Sequence, residues 1–336
     1  MTAPALIQVC ECWARDGLQS WPDVVSLEDK LSVLRQVAAA GVREIDATSL
    51  VPPKYAPQFT DAEDVLAAVV DTGVRTRVLT PNLRGVERAI DIRRRLAGGV
   101  DTIGFPVSAS EAHNVANVRR THDEHLREIE RMVGAAHEAG LAVLAAVATA
   151  FGCPLTGPVA EDVVFSLADR LVDLGVDRIM LSDTTGLADP VRVAAYTTRA
   201  IRDYPGVDLV AHFHDTRGAG IANTYAAVAS GVRCVDACLG GIGGEPASVE
   251  QNHAGETGNV STEDLVVLLE RAGFDTGVDV DVLLMAGRHA ERLLGAPGRS
   301  QVQRTGPGLD ARAPRSQHRG ADLSQRGQIT TQGGRP

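Results

Sequence analysis

Short β-branched runs alternate with longer stretches of helical periodicity, and this alternation limits the fold more than any other feature of the chain. The runs lie at 6–12, 44–48, 75–80, 102–107, 142–148, 178–182, 208–212 and 233–237. Helical patterns lie between them at 26–40, 62–71, 83–97, 117–139, 160–174, 190–203 and 219–230. Strand–helix alternation builds parallel βαβ units. Eight such units within about 270 residues predict an α/β chain closed into a (β/α)8 TIM barrel. A doubly wound sheet is the alternative. It calls for a glycine-rich fingerprint after the first strand, and residues 12–19 carry none.

Ser26 is placed to cap the first helix and Gly41 to stop it. Helical patterns at 262–272 and 280–294 are expected to pack on the barrel. From 298 onward Gly, Pro, Arg, Gln and Ser dominate and apolar periodicity is lost. The chain therefore divides into a barrel domain, 1–297, and a tail, 298–336, expected to be disordered.

With 336 residues and 44% hydrophobic content the chain can bury a large core. Its net charge of −10, with no basic cluster in the barrel, argues against a nucleic-acid partner. No run reaches the roughly 18 apolar residues that cross a bilayer, and the first residues do not read as a signal peptide. Five cysteines without a CxxC pair suit a reducing, cytoplasmic setting. Cys10, Cys12, Cys153, Cys234 and Cys238 are all read as packing residues.

In such barrels chemistry sits at the C-terminal ends of the strands. The seventh strand ends in His212-Phe213-His214. Side chains alternate along a strand, so both imidazoles face one way and make half a metal site. After the first strand come Arg15 and Asp16, a cation for an oxyanion or carboxylate and a hard oxygen ligand. The glycine-rich loop after the eighth strand runs from Gly240 to Asn259, just before the expected cap residues Ser261 and Thr262. An Asn carbonyl there can serve as a fourth ligand. The bland readings are a packed histidine, a surface Arg–Asp pair and a loose connection. His113, His122, His125 and His137 are read as solvated or helix-packing, whereas His253 stays a candidate.

Glu11, Arg15-Asp16-Gly17-Leu18-Gln19, Asp46-Ala47-Thr48-Ser49, Thr80-Pro81-Asn82-Leu83, Ser108 to Asn114, Phe151-Gly152-Cys153-Pro154, His212 to Thr216 and Gly258 to Asp264 together form an ordered pattern. This pattern resembles the 3-hydroxy-3-methylglutaryl-CoA lyase family of the DRE-TIM metallolyases, over about residues 7–295. The resemblance implies a (β/α)8 barrel and a divalent metal held by Asp16, His212, His214 and Asn259. It implies that Arg15 steadies an enolate oxygen and that His212 also takes part in proton transfer. Asp46 stands where the family has a catalytic Glu, and Asn114 where it has a CoA-facing Asn. Gln19, Ser49, Asn114 and Thr184 are the substrate-binding candidates, with Asp183 beside Thr184.

Two departures from the family pattern fall in the loop after strand eight. Glu245 replaces the family's catalytic cysteine, and the loop up to Asn259 is longer. Pro22 replaces a family lysine. Glu245 is therefore the candidate for the proton transfer the cysteine performs, provided burial raises its pKa.

The expected reaction is metal-assisted carbon–carbon cleavage of a 3-hydroxy-3-methylglutaryl-CoA-like substrate to acetyl-CoA and a 3-oxo acid. Mg²⁺ or Mn²⁺ suits the site best, since the substrate adds oxygen ligands; Zn²⁺ and Co²⁺ also suit a mixed N/O set. The expected partner is a small acyl-CoA or hydroxy-acid substrate, with a homodimer as the one protein partner entertained. Two other readings are kept: a related lyase or Claisen-type synthase on another acyl group, and an inactive barrel with a binding role.

Overall fold

The computed structural model describes residues 4–244 and 258–308. Eight parallel strands close in chain order, each bonded to the next and the eighth to the first. They are β1 Gln8–Glu11, β2 Glu44–Ser49, β3 Arg75–Leu79, β4 Thr102–Ser108, β5 Ala142–Ala148, β6 Arg178–Asp183, β7 Asp208–Phe213 and β8 Cys234–Ala237. The expected TIM barrel is thus the fold. Closure follows from the pairing of β1 with β8, Gln8 opposite Cys234 and Glu11 opposite Ala237.

Around the barrel stand α1 Leu27–Ala39, α2 Ala62–Val69, α3 Leu83–Leu96, α4 Glu111–Val118, α5 His122–Glu138, α6 Glu161–Asp173, α7 Pro190–Asp203 and α8 Gly220–Ala229. Two further helices, α9 Thr262–Ala272 and α10 Val280–Leu294, follow, and α10 packs on α1. Val33, Leu34 and Val37 of α1, with Leu283 and Ala286 of α10, are buried in the main core. Ser26 caps α1 by accepting from Asp29 N–H at 3.2 Å. Gly41 follows α1 with φ +91, and a Cβ there would stand 2.5 Å from Gly277 O, so only glycine fits.

Three expectations change. The single helix expected over 117–139 is two, because Arg119 is left-handed at φ 57 and Thr121 with Glu124 starts α5 with a full capping box. The first strand stops at Glu11 rather than running to residue 12, and a π-helical turn, Trp13–Gly17, takes over. Past residue 297, Ser300 is buried and caps a short helix, α11 Gln301–Thr305, which packs on α9 and α10. Asp264 of α9 accepts from Ser300 Oγ at 2.8 Å and from Val302 N–H at 2.7 Å, which ties that segment down. The rest of the expected tail, 309–336, lies outside the described residues.

Among the described residues no helix is long and apolar enough to cross a membrane.

Candidate active site

The exit from β1 sets the site. In the π turn Gly17 N–H donates to Cys12 O at 3.0 Å, an i→i−5 bond. Such turns are concentrated at functional sites, because the extra residue re-aims the side chains that follow. Here it turns Arg15 and Asp16 toward the barrel mouth. Gly243 holds the strand-eight loop against this turn. Its φ is +91, and a Cβ would lie 2.4 Å from Asp16 O, so no other residue could approach so closely.

His212 Nε2 and His214 Nε2 lie 3.1 Å apart, and Asp16 Oδ2 is 3.6 Å from His214 Nε2. All three side chains are buried, and their ligand atoms fall within 4.8 Å of one another. Two imidazole nitrogens this close share at most one proton between them, and once that proton is displaced both lone pairs face one shared position. Two nitrogens and a carboxylate oxygen converging on one point fit a divalent cation. Burial opposes the charge on Asp16, but Arg15 and both histidines outweigh it and hold its pKa well below the usual carboxylate range. Burial likewise opposes protonation of His214, yet the Asp16 carboxylate raises its pKa.

Asn259 reaches this set from a segment running beside the ends of β7 and β8. Asp215 N–H donates to Gly258 O at 2.7 Å and Cys238 N–H to Val260 O at 2.9 Å. Asn259 Nδ2 donates to Asp16 Oδ2 at 2.6 Å and to Ile242 O at 2.9 Å. The ligand role requires its oxygen on that side; a half-turn of the amide exchanges the two atoms.

Arg15 bridges two carboxylates, with Nη1 on Asp16 Oδ1 and Nε on Asp46 Oδ2, both at 2.6 Å. Asp46 Oδ1 is buried without a hydrogen-bond partner at the edge of the cavity. The cavity encloses about 770 Å³ over the strand ends, with both histidines, Asp46 and Arg77 on its floor and Trp21, Tyr55 and Arg119 toward its mouth.

The comparisons with known proteins converge. A family model described as HMGL-like matches residues 6–289. The chain belongs to the HMGL-like family. It is accordingly a carbon–carbon lyase. Hydroxymethylglutaryl-CoA lyase YngG of Bacillus subtilis is 34% identical over 298 residues, 88% of this chain and 96% of that relative. The (R)-citramalyl-CoA lyase of Chloroflexus aurantiacus is also 34% identical, over 90% of this chain and 95% of its own length. The structure of an HMG-CoA lyase from Acinetobacter baumannii, in complex with coenzyme A and 3-methylmalate, superposes with a TM-score of 0.83. That match has 35% identity and covers 92% of this chain and 98% of the other.

Within this HMGL-like barrel the expected site residues fall into two groups. Arg15, Asp16, Asp46, His212, His214 and Asn259 come together, and Gln19 and Thr184 line the same cavity. Ser49 and Asn114 stand apart. Ser49 is fully buried and accepts from Val51 N–H at 3.2 Å. Asn114 is 0% exposed, accepts from Ser108 N–H at 3.0 Å and donates to Arg120 O at 2.8 Å. Its amide is spent on fixing the end of β4 to the α4–α5 junction, so it does not face the cavity. His113 and His125 pack around that junction; burial pushes His125 down to about 4. Asp183 receives Leu187 N–H at 2.7 Å and Ala188 N–H at 3.0 Å, a loop-closing role. Glu245 and His253 lie outside the described residues.

Two residues of the site went unread in the sequence. Asp236 of β8 receives Arg77 Nη2 at 2.7 Å and lies 3.1 Å from His212 Nδ1. Arg77 of β3 also reaches Asp46 at 3.5 Å and the Cys12 thiol at 3.4 Å. For Asp236 the available signal was a charged residue on an otherwise apolar strand; Arg77, on a strand reading Arg-Thr-Arg-Val-Leu, offered none as clear.

Proposed function

We propose that this HMGL-like lyase cleaves a 3-hydroxy-3-methylglutaryl-CoA-like substrate to acetyl-CoA and a 3-oxo acid. The observation that carries this reading is the convergence of Asp16, His212 and His214 beside the Arg15–Asp46 pair in one cavity. Asp16, His212 and His214, with Asn259 after its half-turn, would hold a divalent cation, Mg²⁺ or Mn²⁺ by preference. Such a cation supplies Lewis acidity that lowers the pKa of a bound hydroxyl.

The chain's own groups account for the remaining steps. Asp46 Oδ1, the unpartnered carboxylate oxygen, accepts the proton of the tertiary hydroxyl. His212, oriented by Asp236, is the alternative base where its Nε2 takes the hydroxyl proton in place of holding the cation. As the carbon–carbon bond breaks, the hydroxyl carbon becomes the ketone of the 3-oxo acid and the electron pair moves onto the α-carbon of the thioester, delocalised onto its carbonyl oxygen as an enolate. Arg15, whose charge is strengthened by Asp46 and Asp16 despite burial, steadies the resulting enolate oxygen. Glu245, placed in the sequence where the family's cysteine stands, returns a proton to that carbon.

The likeness to a citramalyl-CoA lyase keeps a second substrate in view. The test is a turnover assay of metal-stripped and metal-reloaded protein with 3-hydroxy-3-methylglutaryl-CoA and with citramalyl-CoA. Mg²⁺- or Mn²⁺-dependent acetyl-CoA release from the first supports the proposal. Cleavage of the second alone moves the substrate, and a protein that binds no metal points to a binding role. All five cysteines are free, which suits a reducing, cytoplasmic setting.

A further inference from the structure

The cavity floor is sharply divided in polarity. Its charged side is built by β1, β2, β3, β7 and β8. Its other side, on β4, β5 and β6, presents Gly104, Pro106, Leu144, Ala146, Ala148 and Met180. Leu144 and Met180 form an apolar cluster with Val210 that is separate from the main core, and Ala146 packs against it.

TIM-barrel interiors are ordinarily filled by bulky branched side chains. Here the inward positions of β4 and β5 carry Gly104 level with Leu144, and Pro106 level with Ala146, with Ala148 above. A Cβ at Gly104 would meet only ordinary contacts, Arg77 Cδ at 3.7 Å and Leu144 Cδ2 at 3.8 Å, so this position is not small because its neighbours crowd it. The small residues leave room beside the site, and the walls of that room are apolar except for the Ser182 hydroxyl of β6, opposite His212 in the register with β7. Among the described residues on the floor, both guanidinium groups are already paired. Arg77 holds Asp236 at 3.1 and 2.7 Å, and Arg15 holds Asp16 and Asp46. No described cation is left there to receive an additional carboxylate.

The carbinol carbon of such a substrate carries four groups. The hydroxyl belongs with Asp46 and the cation that the metal residues would hold, the carboxylate arm with that same cation, and the thioester arm leaves through the mouth. The fourth substituent faces β4–β6. We infer that this chamber accepts an alkyl substituent longer than methyl, so that the substrate class is 3-hydroxy-3-alkylglutaryl-CoA with an extended alkyl group. The inference rests on the lyase reading above and deepens it.

Two series test it on the metal-loaded enzyme. In the first, kcat/KM is measured for substrates bearing 3-methyl, 3-ethyl and 3-propyl groups. Burial of each added methylene should raise it by about fourfold. In the second, calorimetry measures the affinity of the matching 3-alkylglutaryl-CoA compounds, which lack the hydroxyl and cannot be cleaved. The same rise is expected there. Ala146→Leu, which fills the chamber, should reverse the propyl-to-methyl preference by at least about tenfold, and Met180→Ala should extend it to longer chains. Flat or falling affinity from methyl to propyl in the wild type overturns the chamber. So does an Ala146→Leu variant that binds metal normally and keeps the wild-type preference. If affinity rises along the series but no member is cleaved, the chamber stands and the lyase reading fails.

Discussion

His212 Nδ1 lies 3.1 Å from Asp236 Oδ2, and the same oxygen accepts from Arg77 Nη2 at 2.7 Å. The carboxylate thereby fixes the proton on Nδ1 and leaves the Nε2 lone pair facing His214. Burial opposes the charge on Asp236, but Arg77 and His212 hold its carboxyl well below the usual range. Asp236→Asn should weaken Mn²⁺ binding by about 10- to 100-fold, as loss of a group that orients a metal-binding imidazole does. Calorimetric titration of metal-stripped protein measures this; unchanged affinity would show that His212 orients itself.

His214→Ala removes one of the three converging donors outright. Its metal affinity should fall by more than about 100-fold, beyond the loss expected for an orienting partner. Turnover should fall in step and should recover only in part at saturating metal. Activity insensitive to both the substitution and chelation would exclude this site from catalysis.

Arg15→Lys keeps a positive charge but not the fork that spans Asp16 and Asp46. A kcat loss of about 100- to 1000-fold, with KM nearly unchanged, is the expected result if Arg15 acts on charge that develops during the reaction. A rise in KM with kcat preserved would make it a binding residue instead.

Glu245→Gln should slow kcat strongly while substrate affinity stays near the wild-type value. Replacing it with Cys, the residue the family pattern has there, should restore part of the rate. An unchanged kcat in Glu245→Gln would remove Glu245 from the mechanism.

Glu11 is fully buried, receiving Leu239 N–H at 2.8 Å and Thr262 Oγ1 at 2.6 Å. Burial pushes its carboxyl up to about 8. A carboxyl raised on folding favours the fold while it keeps its proton. That contribution is complete below the ordinary Glu value of about 4.3 and is lost as pH rises through the folded value. Glu263, pushed up to about 7 by burial, acts in the same direction. The Tm should therefore fall between about pH 5 and pH 9, and Glu11→Gln should flatten that fall. An equal slope in the variant would place the dependence elsewhere.

The barrel was legible in the chain because strand and helix periodicities are local, and eight alternations leave few ways to bury both faces of a parallel sheet. The His212–His214 pair was legible for the same reason, since a period of two puts both rings on one face whatever the surroundings. Only the tertiary structure decided the rest. The π turn that aims Arg15 and Asp16 depends on the strand-eight loop lying against it at Gly243. The break at Arg119, which spends Asn114 on backbone bonds, depends on competition between one long helix and two capped ones. Arg77 and Asp236 are 159 positions apart and meet only because closing the barrel brings β3 and β8 to face each other across its interior. Periodicity reports which face a residue occupies; which charges share that face, and which of them neutralise one another, is set by closure.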